Sequence, residues 1–83
     1  MAKLDDAVRA YRDSEATIAR AEAAAKARVK AARQARTEAR RRLAEAIVEA
    51  ANEGMRQVEI IRITGYSRER VRTILREGGV EPD

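Results

Sequence analysis

From Ala2 to Glu53 the chain has neither glycine nor proline, and Ala, Arg and Glu dominate what stands there. These three are strong helix formers, and the two residues that most readily end a helix are missing. One long helix is the simplest structure such a stretch can take, running about 78 Å at 1.5 Å per residue if unbroken. The alternative is an interruption near "RDSEAT", where Asp13 or Ser14 could cap a second helix. Opposite charges four residues apart, Asp5 with Arg9, Glu22 with Lys26 and Glu38 with Arg42, lend it weak support.

A helix of this length cannot bury an apolar face alone, so its periodicity reports what it packs on. Steps of four and three from Leu4 pass through Val8, Tyr11, Glu15, Ile18, Glu22, Ala25, Val29, Ala32, Arg36, Ala39 and Leu43. This is a coiled-coil seam, shallow where alanine stands and interrupted by three charges. Its large apolar members Leu4, Val8, Tyr11, Ile18 and Val29 are the candidate oligomerisation residues. In a parallel, in-register dimer Glu15, Glu22 and Arg36 would each face their own copy, whereas antiparallel or staggered pairing avoids that repulsion. A homo-oligomer, most simply a dimer, is expected, with the orientation left open. The alternative is a charged, solvated helix that only frames the C-terminal unit.

Beyond residue 42 the character changes. Gly54 follows "LAEAIVEAANE", Gly65 follows "RQVEIIRIT" and Gly78-Gly79 follows "SRERVRTILRE", each where a left-handed cap would stop a helix. Leu43, Ile47 and Ala50 mark the inner face of the first helix. Val58 and Ile61, with Ile60 as a further candidate, mark that of the second, and Val71, Ile74 and Leu75 that of the third. Ser67 stands at the N-cap of the third, and Pro82 lies beyond its end. The expected organisation is all-α: residues 1–42 form an extended, partly basic helix, and residues 43–83 a compact three-helix unit. Residues 43–77 alone fall below the roughly 40 residues at which an unassisted core becomes improbable, so the long helix or a partner must complete it.

Composition removes most chemistry. With 83 residues and no Cys, His, Trp or Phe, the chain offers no thiolate, no imidazole base and no ordinary zinc ligands. Carboxylates alone have no visible pocket to work in, so no enzyme, metal, cofactor or small-molecule ligand is expected. The opening "MAKLDDAVRA" lacks the apolar run of a secretory signal, and no segment approaches the roughly 20 apolar residues of a membrane span. A cytoplasmic protein, associated with the nucleoid, is the expectation. Membrane-surface binding is disfavoured, because alanine contributes little insertion energy and there are only two aromatics. The net charge is +4, and it is unevenly placed: residues 26–42, "KARVKAARQARTEARRR", carry eight basic side chains and one acidic.

The segment "GYSRERVRTILR", Gly65 to Arg76, holds four arginines among regularly spaced apolar residues. Two short helices joined by a tight turn, the second one basic, is a helix-turn-helix pattern. Gln57 to Arg76 resembles the twenty-residue DNA-binding unit of bacterial and phage repressors and resolvase C-terminal domains. Gln57 opens the supporting helix, Ile60 is its inward residue and Gly65 sits in the turn. Tyr66 fills the apolar position after it, Ser67 begins the recognition helix, and Val71 and Ile74 hold that helix to the core. The family usually has a small residue, often Ala, where this chain has Ile61, and a bulky side chain there would spread or rotate the two helices.

At about 100° per residue, Val71, Ile74 and Leu75 share one side of the last helix, while Glu69, Arg72, Thr73 and Arg76 lie away from it and Arg68 sits near the border. Arg68, Arg72 and Arg76 form a stripe suited to bidentate bonds with guanine or to clamping phosphates. Ser67, Arg68, Glu69, Arg72, Thr73 and Arg76 are the candidate base-reading residues. Glu69 either accepts from cytosine N4 or holds Arg72 in place. Gln57, Arg70, Arg40, Arg41 and Arg42 are the candidate phosphate contacts, Arg70 reaching either phosphate or water. The expected partner is double-stranded DNA, and the expected role a sequence-specific regulator or an accessory factor of a phage or mobile element. Parallel pairing would place two half-sites about 34 Å or a multiple apart. Two other functions fit the same residues: a non-specific architectural DNA-binding protein, and a coiled-coil interaction module without nucleic acid.

Overall fold

The computed structural model describes residues 2–80 and contains three α-helices in chain order: α1 Ala2–Asn52, α2 Gln57–Thr64 and α3 Arg68–Glu77. No strand occurs among the described residues. Pro82 lies outside them.

α1 passes through "RDSEAT" without a break. The hydroxyls there fold back on their own helix: Ser14 Oγ donates to the Ala10 carbonyl at 2.9 Å and Thr17 Oγ1 to that of Asp13 at 2.8 Å. Satisfied in this way, neither side chain starts a new helix. Every residue from Ala2 to Thr37 is exposed. Of the three expected charge pairs, Glu38 with Arg42 forms at 3.2 Å, while Arg9 reaches Asp6 at 3.7 Å instead of Asp5. Among the described residues no ion pair joins Glu22 to Lys26, as is ordinary for solvated side chains whose attraction barely offsets their lost freedom.

By its contacts the chain divides into two units, Met1–Ala35 and Arg36–Asp83. Among the described residues the first holds only the N-terminal part of α1. In the second, Ile47 of α1, Ile60 of α2 and Val71 and Leu75 of α3 are buried, with Val48, Ala51, Ile61, Tyr66, Ile74 and Val80 packed around them. Two residues expected inside are not. Val58 is 64% exposed, because α2 turns Ile60 inward and a residue two positions away lies some 200° around the helix. Leu43, one turn before Ile47, stays 36% exposed at the margin of the cluster.

The turn between α2 and α3 is closed by backbone geometry and by one threonine. Gly65 adopts φ 72°, and its N–H caps α2 on the Ile61 carbonyl at 2.9 Å. Thr64 Oγ1 donates to the Ile60 carbonyl at 2.7 Å while accepting from the Tyr66 N–H at 3.2 Å, tying the turn to the helix before it. Ser67 Oγ then accepts from the Arg70 N–H at 3.1 Å and caps α3. At the far end of α3 the expected left-handed residue is Gly79, with φ 76°, while Gly78, the cap itself, has an ordinary φ of −84°. Its role is steric, because a Cβ at this position would collide with the Val48 side chain of α1.

Candidate nucleic-acid interface

Burying Val71 and Leu75 fixes the rotation of α3, and the arginines at spacing four then run along the flank beside Leu75. Arg68, Arg72 and Arg76 are all exposed. They form one wall of an open groove of about 800 Å³, whose opposite wall is built from the turn and first residues of α2: Met55, Arg56, Gln57, Val58 and Ile61. Ile61, expected on the inner face of α2, is half-buried, packs against the core cluster and lines the groove with Leu75. The groove thus has a cationic rim over an apolar base. Gln57 is half-buried at the start of α2, where free backbone N–H groups favour an anion.

The remaining candidates in this unit fall outside the groove lining. Thr73 is half-buried, and its hydroxyl donates to the Glu69 carbonyl at 3.0 Å. Glu69 is exposed and makes no ion pair among the described residues, so the expected hold on Arg72 is not formed. On a solvated helix face such a pair gains little. Ser67 uses its hydroxyl as a cap. Arg70 stacks its guanidinium 4.4 Å from the centroid of the half-buried Tyr66 ring, a cation–π contact neither residue announces alone.

Arg40, Arg41 and Arg42 follow one another on α1 and therefore point in three directions. Arg41 is held between Glu38 and Glu45, and Arg42 also bonds Glu38. The hydrogen bond from Arg41, aided by the charge of Arg41 and the bond from Arg42, holds the Glu38 carboxyl below its usual range. The same bond and the charges of Glu38 and Glu45 raise Arg41 above its usual value. Arg40 has no ion-pair partner among the described residues.

Comparison with family models, curated proteins and solved structures returns no match.

The two grooves of this unit are lined by opposite charge. A second groove, along α1 and the end of α3, is lined by Glu45, Glu49, Glu53 and Glu77 over Val48 and Ile74. On α3, Glu77 and Ile74 lie roughly opposite the arginine stripe. An anion is favoured in the first groove and disfavoured in the second. The reading from sequence missed Arg56 and Met55, which line the arginine groove. The available signal was their place immediately before the residue that opens α2. No helix is long and apolar enough to cross a membrane among the described residues.

Proposed function

We propose that this chain is a sequence-specific DNA-binding protein whose α2–turn–α3 segment acts as a helix-turn-helix, serving as a small transcriptional regulator or an accessory factor of a phage or mobile element. The observation that carries this is the division of α3: Val71 and Leu75 are buried while Arg68, Arg72 and Arg76 stand exposed along one groove. A helix pinned by its apolar side and presenting guanidinium groups at spacing four suits the major groove, where Arg pairs bidentately with guanine. Ser67, Glu69 and Thr73 flank that stripe as further base contacts. Gln57 at the start of α2, with Arg70 and Arg40 to Arg42, supplies phosphate contacts that set affinity. The exposed apolar residues of α1 support binding as an oligomer.

Selection of bound sites from random duplexes tests this directly. Enrichment of a defined sequence, lost when the selected bases are changed, is the expected result. Equal binding of selected and random duplexes would favour the architectural reading, for which the exposed basic run from Lys26 onward speaks. Absence of any mobility shift at low salt would leave an interaction module without nucleic acid.

A further inference from the structure

Leu4, Val8, Tyr11, Ile18 and Val29 stand between 39% and 69% exposed along α1, and no other described element of the chain covers them. We propose that a second copy of the chain covers this seam and that the two α1 helices run antiparallel, with Ile18 of each copy level with Val29 of the other. This rests on the oligomer in the function proposed above and supplies its orientation.

Two features of the seam favour this arrangement. The first is charge. In a parallel pair Glu15 and Glu22 each meet their own copy within the seam, and the segment 26–35, with Lys26, Arg28, Lys30, Arg33 and no acid, lies along itself. In the antiparallel register that segment lies along residues 12–21, where Arg12 and Arg20 are balanced by Asp13 and Glu15. The second is size. Ala25 and Ala32 would face their own copies in a parallel pair and leave gaps between the helices. In the antiparallel register Ala25 meets Glu22 and Ala32 meets Glu15, so each small residue faces a long one whose aliphatic stem fills the layer and whose carboxylate reaches water. The half-site spacing expected of a parallel pair then does not apply.

The chain contains no cysteine, so single-cysteine variants of the full protein report orientation cleanly. Ile18→Cys and Val29→Cys are oxidised separately and as an equimolar mixture, without DNA. A disulfide needs Cα atoms within about 7 Å. In the proposed register each cysteine lies about 16 Å from its own counterpart and opposite the other variant's. Cross-linking of the mixture, with little in either variant alone, is expected. Glu15→Cys with Ala32→Cys repeats the test without removing a large apolar side chain. Self-linking of each single variant would overturn the proposal in favour of parallel pairing. A dimer in which neither mixture links would overturn the register. Sedimentation equilibrium of the unaltered chain giving a monomer would remove the pairing altogether, while the site selection judges DNA recognition independently.

Discussion

Arg72 sits in the middle of the exposed stripe on α3, between Arg68 and Arg76 along the groove. Arg72→Ala is expected to relax base preference at one position and to cost about 1–3 kcal/mol on the selected site. Titration of that site and of a random duplex checks this, and an equal loss on both would remove its base-reading role. Two glycines make a separate contrast. At Gly65 nothing stands within 4 Å of an added Cβ, but φ is 72°, so Gly65→Ala should cost about 1–2 kcal/mol through backbone strain alone. At Gly78 the backbone is ordinary and the obstacle is Val48, so Gly78→Ala should cost about 1–3 kcal/mol through overpacking. Val48→Ala should recover part of the loss at Gly78 and none at Gly65. Denaturant unfolding of the two double mutants reads the difference.

Among the elements, α1 depends least on tertiary contacts, since every described residue before Glu38 is exposed and its buried residue is Ile47. Its local ion pairs therefore become visible. The Glu38 carboxyl is lowered on folding, chiefly by the hydrogen bond from Arg41. A carboxyl lowered by folding contributes stability that is present above its unfolded value and lost as pH falls through the folded one. The contribution is thus intact at neutral pH and disappears on acidification below the ordinary carboxylate range. Titration of the Glu38 side-chain carbon by NMR should show the depressed midpoint, and Arg41→Ala should return it toward the ordinary value. α3 is the opposite case: the Ser67 cap and the burial of Val71 and Leu75 fix both where it starts and how it is rotated.

For the molecule as a whole, the chemistry proposed is electrostatic, and its signature is a dependence on salt. Arg40 lacks an ion-pair partner among the described residues, whereas Arg41 is compensated by Glu38 and Glu45. Arg40→Gln should therefore lower the slope of log affinity against log salt by about 0.9 for the phosphate contact it loses. Arg41→Gln should lower it less. Affinity measured across a salt series with random and selected duplexes separates this uniform loss from the base-specific loss at Arg72. Much of this organisation was legible in the sequence. The absence of Gly and Pro up to Glu53 foretold α1, and Gly65 with Ser67 foretold the α2–α3 boundary, because caps and breakers act within a few residues and write themselves locally. The inner face of α2 was only partly legible. Ile60 and Ile61 were expected on it and pack there, but eight residues of mostly aliphatic sequence permit several rotations, and Val58 was expected with them. Val58 and Ile60 lie on opposite sides of α2, and only packing against Ile47 and Val71 decides that Ile60 turns inward. The groove that sets Met55 and Arg56 beside Arg68, Arg72 and Arg76 was hidden for the same reason, and so was the close approach of Gly78 to Val48. Sequence alone determined which segments are helical and where charge accumulates, because backbone preference and charge travel with each residue. Which side chains meet was decided by the tertiary structure, because burial depends on neighbours distant along the chain.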